Sequence, residues 1–496
     1  MLSTQDPGFS TVESGSIELE LLSQAVRAER TVNPAPAEVT DLAYDTRRVT
    51  RGALFVCVPG LRSDGHDFAP EAVAAGAVAL VVERPLELPV PQLVVPDGRE
   101  AMALAADAFF GQPTRELQVV GVTGTNGKTT TAFLLFSILA AAGRRPGLLG
   151  TIENRVGGER RPAVRTTAEA IDLQHTFREM LDAGDRSCAM EATSHGSTLK
   201  RLLGVRFRAL IFTNLSQDHL DFHDTMEEYF AAKRRLFTDP DVDGKRPPGV
   251  INVGDPRGRA LVDELRALGE DPVEFSVDAA AGLEVTPRGS TFTFQGLELA
   301  TRLRGRFNVE NVLGAVAASR LIGIADEAIM AGVAHLAGVP GRFEAVDEGQ
   351  PFAVIVDYSH KPGALESVLN EARGLATGRL LCVFGCGGDR DRGKRPLMGE
   401  IASRIADVVF VTSDNPRSED PEAIIAEILE GVTKPVEVEP DRRAAITKAL
   451  EEAREGDVVV IAGRGHEQRQ ELADRTIPFD DREVARDALR RLQAAA

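Results

Sequence analysis

Residues 119–130, VVGVTGTNGKTT, constrain this chain more than any other stretch. The apolar run 117–122 reads as a buried strand, 124–129 as a glycine-rich turn and 132–142 as a helix. A strand, such a turn and a helix start surround one anion with backbone N–H groups. Lys128 adds a point charge for the outer phosphates, and the Thr129 hydroxyl can hold Mg²⁺. Val122 stands where the strict pattern G-x-x-x-x-G-K-[ST] has its first glycine. The bland alternative is an ordinary glycine turn before a helix; Lys-Thr-Thr at the helix start argues against it.

At 496 residues the chain has room for about three domains. Its formal charge of −18 argues against a nucleic-acid partner or an anionic membrane surface, so an anionic substrate needs a locally basic pocket. Cys57, Cys188, Cys382 and Cys386 sit in or beside apolar runs and read as buried free thiols. Residues 1–16 are polar with Gly and Pro, lack a signal-peptide pattern, and read as a disordered tail. With no apolar run of about 18 residues, no membrane insertion is expected. A cytoplasmic monomer follows as the expectation.

The fold class expected is α/β in three domains, with boundaries at 1–97, 98–339 and 340–496. In the first, 53–58 and 77–82 read as strands around a helix at 68–75. Its loops 45–48 (DTRR) and 59–67 (PGLRSDGHD) each read alone as solvated turns. Residues 97–110 read as a linking helix. The second holds strands at 117–122, 187–190, 209–212 and 249–253, a hairpin at 291–303 around Gln295-Gly296, and a helix at 307–321. In the third, strands at 352–356, 380–384, 408–412 and 458–461 alternate with helices near 362–374, 394–405, 421–430 and 441–454. That rhythm signals a parallel, doubly wound sheet.

The polar clusters fall directly after strands: 124–129, 191–195 (EATSH), 214–221 (NLSQDHLD), 357–360, 385–392, 413–417 and 463–467. In parallel α/β sheets ligands bind at the carboxyl ends of strands, and two such sheets facing each other enclose a site between domains. Glu191 and His219 lie past strands near the loop, where a carboxylate and an imidazole could hold Mg²⁺. Taken alone, His219 reads as a satisfied loop histidine and Lys233 as a solvated helix lysine.

In combination the motifs GTNGKTT, EATSHG, TNLSQDHLD, AAKRRLF, RFNVENVLGA, GRFE, DYSHKPGAL, GCGGDRDRGKRP, SDNPR and GRGHE resemble the Mur ligases, ATP-dependent amide-forming ligases of peptidoglycan precursor synthesis. The resemblance runs from about Asp45 to Glu467 and is strongest to the members that add the third residue. It implies an N-terminal uridine-nucleotide domain, a central ATP-binding domain and a C-terminal, Rossmann-like amino-acid domain. It places ATP on Gly124, Thr125, Asn126, Gly127, Lys128, Thr129 and Thr130, with Asn308, Asn311, Arg342 and Asp357 near the nucleotide. Lys128, Glu191, His219 and Lys233 are the implied catalytic set. Mg²⁺ is implied on Thr129, Glu191, His219 and Lys233, the last carried as N6-carboxylysine. The implied nucleotide-sugar substrate, UDP-MurNAc-L-Ala-D-Glu, falls to Thr46, Arg47, Thr166, Thr167, Thr193 and Arg201. Arg165, Ala168, Thr193 and Leu199 depart from residues common in the family.

The amino acid to be added is implied to be meso-diaminopimelate, on Arg390, Asp414, Asn415, Pro416, Arg417, Gly463 and Glu467. Diaminopimelate differs from lysine by a second carboxylate, and a site selective for it needs a cation, ideally a planar fork. Arg417 supplies one on a rigid Asn-Pro turn, Arg390 could supply another, and Glu467 would pair with the far ammonium. The same-family alternative is a lysine-adding ligase, against which Arg417 argues. Folate polyglutamate ligases share the GTNGKT centre but not the DTRR…ALFVCVPG stretch. From another class, a nucleotide-binding switch without ligase activity would not need Glu191, His219 and Lys233 around the loop.

Overall fold

The computed structural model describes residues 15–60, 63–220, 222–286 and 288–495. Most of the tail expected at 1–16, Leu61 and Arg62 of the second N-terminal loop, and Asp221 lie outside them.

Three α/β bodies follow one another. In the first, a five-stranded sheet runs in the order Arg30–Val32, Gln92–Val94, Ala79–Val82, Ala53–Val56, Asp41–Ala43, parallel except at the Arg30–Val32 edge. The helix Gly98–Phe109 is N-capped by Asp97, whose carboxylate accepts from Glu100 N at 2.9 Å. It packs its alanine-rich side into the core of this body, beside Ala170 and Ile171 of the next.

The second body holds an eight-stranded sheet. Its order is Glu159–Pro162, Glu153–Val156, Pro146–Leu149, Ser187–Glu191, Gln118–Thr123, Phe207–Phe212, Gly249–Asn252, Val273–Phe275. The last six are parallel, and the first two form an antiparallel extension. The phosphate-loop strand lies inside the sheet, and the helix Lys128–Ala141 behind it is buried nearly all round. The expected hairpin exists as Gly289–Phe294 and Leu297–Thr301, turning at Gln295 (φ 49°) and Gly296 (φ 83°). A third strand, Ala281–Thr286, completes that small sheet. No residue of it is buried, so no apolar run marked it in the sequence.

In the third body the order is Glu344–Ala345, Ala353–Asp357, Val458–Ala462, Leu380–Phe384, Val408–Val411, Glu437–Val438, parallel but for the first. The four strands and four helices read from the sequence are all present. Missed were the two-residue edge strands, the hairpin Arg469–Glu471 with Thr476–Pro478, and the last helix, Asp481–Ala495. Arg442 and Asp481, both fully buried, pair at 2.7 Å and tie that helix to the sheet. The four cysteines are buried and free, as expected.

Candidate active site

Strand register is what gathers the site. Glu191 pairs with Val122 and Phe212 with Thr123, so EATSH and TNLSQD emerge beside GTNGKTT at one edge of the central sheet. Gly124 (φ 144°) and Gly127 (φ 85°) take backbone conformations that L side chains rarely adopt. A Cβ on Gly124 would lie 1.9 Å from Thr213 Oγ1, and one on Gly127 2.2 Å from Asn311 Oδ1. The loop is braced from the next strand: Thr125 N donates to Asn214 O at 2.9 Å and Asn126 N to Asn214 Oδ1 at 2.9 Å.

Lys128 folds back over its own loop, Nζ donating to Gly124 O at 2.9 Å and Thr125 O at 2.7 Å. Lys233 donates to the same Gly124 oxygen at 2.8 Å and lies 4.5 Å from the Tyr229 ring centroid. Burial, then the Lys128 charge, pushes the Lys233 amine well below the usual lysine range. The solvated lysine expected from the isolated sequence is thus overturned: Lys233 is 1% exposed. Tyr229 and Phe237, one turn to either side on the same helix face, are buried with it.

Glu191 is 1% exposed, its Oε1 accepting from Thr151 N at 2.8 Å and its Oε2 from Thr151 Oγ1 at 3.2 Å. His219 takes a left-handed backbone (φ 53°), with Nε2 3.4 Å from Asp218 Oδ2. Burial lowers its imidazole to about 4, so it is neutral at physiological pH. Thr193 caps a short helix by accepting from Gly196 N and donates to Thr167 Oγ1, both at 3.0 Å. Thr166 Oγ1 lies 3.0 Å from Thr151 Oγ1. Arg201 pairs with Glu169 at 2.6 Å.

The third body closes the other wall. Arg342 Nη2 donates to Thr129 Oγ1 at 3.4 Å, and its guanidinium lies 4.6 Å from the Tyr358 ring centroid. Asp357 accepts from Phe343 N at 2.7 Å and from Ser359, and burial raises its carboxyl. Asn311 donates to Asn308 Oδ1 at 2.9 Å. Lys361 forms an ion pair with Asp218 across the gap. Between the two bodies lies a cavity of about 820 Å³, lined among others by 125–130, Glu191, Thr193, Arg201, His219, Arg342 and Asp357. Sequence reasoning assigned no role to His195, Asp218, Tyr358 or Lys361, which also line it. Each sits within a motif string, but nothing local marked it as facing another domain.

The expected local basicity is absent. Lys128, Arg165, Arg201, Arg342 and Lys361 line the cavity against Glu191, Asp218, Asp255, Glu310 and Asp357, five cations to five carboxylates. Gly124, Asn308 and Lys233, all buried, are not among its lining residues, and neither are two further predicted groups. Thr46 and Arg47 form a surface turn capped by Asp45, with Arg47 largely exposed. The cluster around Asp414–Arg417 lies apart from the cavity. There Asn415 Nδ2 donates to Glu467 Oε2 at 2.8 Å, and Arg464 Nη1 to Asn415 Oδ1 at 2.7 Å. Gly463 leaves no room for a Cβ beside Asp414 Oδ2, which would lie at 2.6 Å. Arg390 is exposed. Tyr358 joins the two sites: its phenol is raised first by burial and then by Glu467.

The family description "Mur ligase middle domain" matches residues 122–319. "Mur ligase, glutamate ligase domain" matches 341–465, and "Mur ligase family, catalytic domain" matches 38–110. The chain belongs to the Mur ligase family. It is 47% identical, over 95% of its length and 98% of the relative's, to a protein of Solibacter usitatus. Over 91% of its length and 95% of the relative's it is 47% identical to one of Geobacillus thermodenitrificans. Both are named UDP-N-acetylmuramoyl-L-alanyl-D-glutamate–2,6-diaminopimelate ligase. A solved Mur ligase structure of the same name superposes with a TM-score of 0.68 at 34% identity, covering 92% of this chain and 96% of that one. A Thermotoga maritima MurF ligase in complex with ADP shares the fold, with a TM-score of 0.59 at 19% identity and coverage of 92% and 98%. Like them, this Mur ligase has a three-domain α/β fold. Among its described residues no helix is long and apolar enough to cross a membrane.

Proposed function

We propose that this Mur ligase joins meso-diaminopimelate to the D-Glu side-chain carboxylate of UDP-MurNAc-L-Ala-D-Glu at the expense of ATP, in peptidoglycan precursor synthesis. The carrying observation is 47% identity over almost the full length to ligases named for that reaction. A substrate carboxylate oxygen attacks the γ-phosphorus and the bond to ADP breaks, giving an acyl phosphate. The amine then attacks the acyl carbon, phosphate leaves, and the nitrogen loses its proton. Gly124–Thr129 and Lys128 hold the phosphoryl donor, while Thr166, Thr167, Thr193 and Arg201 hold the sugar-peptide. Thr46 and Arg47, on the first body, belong to the uridine end. Arg390, Asp414–Arg417, Gly463 and Glu467 receive the amino acid.

Mg²⁺ fits this cavity on charge grounds. Its five carboxylates already offset its five cations, so a triphosphate needs added positive charge. Among the described residues no cluster of three or more His, Cys, Asp or Glu could hold a metal alone. That suits an ion held largely by phosphate oxygens and one or two carboxylates. Thr129, Glu191 and His219 are the residues to hold it. When bound, Mg²⁺ neutralises charge developing on the phosphoryl oxygens. Lys233 supports the carbamate reading, because a neutral amine is the form that adds to CO₂. The product is an anionic ligand where an ammonium would repel the metal. The decisive assay is phosphate release with UDP-MurNAc-L-Ala-D-Glu, ATP and Mg²⁺, comparing meso-diaminopimelate with L-lysine. Release with the former and little with the latter is expected; the reverse would make this the lysine-adding member.

A further inference from the structure

We propose that Glu471 is a specificity-setting residue, whose carboxylate holds the Arg417 guanidinium where a substrate carboxylate must sit. This rests on the reading that the Asp414–Arg417 cluster receives a diamino dicarboxylate. Arg417 Nε donates to Glu471 Oε2 at 2.8 Å, and Nη1 donates to the backbone oxygen of Gly388 at 2.8 Å. Among the described residues Nη2 bonds nothing. A guanidinium binds a carboxylate bidentately along an edge of two nitrogens, either Nε with Nη2 or Nη1 with Nη2. Here one nitrogen of each edge is engaged. The Gly388 oxygen belongs to backbone and cannot swing away. The Glu471 side chain is 52% exposed and can.

The backbone under Glu471 is fixed independently of that side chain. Glu471 N donates to Asn415 Oδ1 at 2.9 Å, Arg417 N donates to Glu471 O at 3.1 Å, and the strand Arg469–Glu471 pairs with Thr476–Pro478. Glu471 is therefore held against the turn, its carboxylate standing in for the substrate's. A dicarboxylic acceptor can displace it with an equivalent charge. An acceptor ending in an ammonium alone cannot, and leaves the fork closed. The arrangement costs affinity for the correct acceptor and keeps Arg417 from capturing other carboxylates in edge-on fashion.

The test uses full-length Glu471→Ala and Glu471→Gln in the phosphate-release assay at saturating ATP and UDP-MurNAc-L-Ala-D-Glu. The KM for meso-diaminopimelate should fall roughly tenfold in Glu471→Ala, the scale of one charge-assisted hydrogen bond, and less in Glu471→Gln. The KM for ATP should stay unchanged. In an Arg417→Ala background, followed by calorimetric binding of meso-diaminopimelate, adding Glu471→Ala should change affinity by less than about twofold, because no fork remains. An unchanged or raised KM in both single variants overturns the proposal, a rise marking Glu471 as a substrate contact. A wild-type enzyme that releases no phosphate with meso-diaminopimelate refutes the reading of the cluster as a diaminopimelate site instead.

Discussion

At the scale of the residue, Lys233 carries the sharpest consequence. Two lysine side chains converge on the Gly124 oxygen, at 2.8 and 2.9 Å, and cannot both be charged cheaply. Burial lowers both amines, Lys233 the more strongly: Lys233 is 1% exposed, whereas Lys128 lines the cavity. Lys233→Ala should lower kcat by roughly 100-fold or more, the scale of a lost electrostatic contact to the reacting phosphoryl group. Carbon-13 NMR of the wild-type enzyme in labelled bicarbonate should show a carbamate carbon that the variant lacks. Full activity in the variant, or no such signal, would count against the carbamate. The residue was misread in isolation because "lysine on a helix" describes the local chain, while its fate follows from the sheet on which Tyr229 and Phe237 are packed.

At the scale of the element, the strand–loop–helix unit works because two glycines remove atoms. Gly127 starts the helix at φ 85° with Asn311 pressed against it. Asn311 in turn bonds Asn308 and accepts from Thr131 Oγ1 at 3.3 Å. Gly127→Ala should therefore weaken ADP binding at least about tenfold by titration calorimetry, since backbone strain and displacement of Asn311 both fall on the phosphate site. Unchanged affinity would show that the helix start can shift without cost. This unit was fully legible in the sequence, because glycine, lysine and threonine spacing is local information. The long strands of the third body were legible for the same reason: buried parallel strands are continuous apolar runs. Short edge strands were not, because two or three half-exposed residues carry no period.

At the scale of the molecule, charged contacts tie the bodies alongside apolar ones such as Ala170 and Ile171 against the first core. Arg206 in the second body grips Asp107 on the helix of the first with two bonds, at 2.9 and 3.0 Å, and Asp243 at 2.8 Å. Asp107 is 4% exposed. Truncating Arg206 leaves that carboxylate buried and unpaired, so Arg206→Ala should cost about 3–5 kcal/mol of stability. Calorimetric unfolding would show this as an earlier transition involving the first two bodies. A loss under about 1 kcal/mol would mean that water reaches Asp107. On the opposite side, the Lys361–Asp218 pair and Arg342–Thr129 contact span the cavity wall. The Asp414–Arg417 cluster and that cavity meet at Tyr358, which lines the cavity and feels the Glu467 charge.

The sequence by itself determined the three α/β bodies, the phosphate loop and the polar clusters that end each strand, because these depend on residues near one another in the chain. It also held enough motif identity to place the chain in its family. Only the tertiary structure decided which clusters share a cavity, that Lys233 is buried, that the cavity is charge-balanced, and that Glu471 occupies Arg417. Those outcomes depend on sheet register and on the approach of separate bodies, which bring together side chains hundreds of residues apart. No local pattern of hydrophobicity or charge records such contacts.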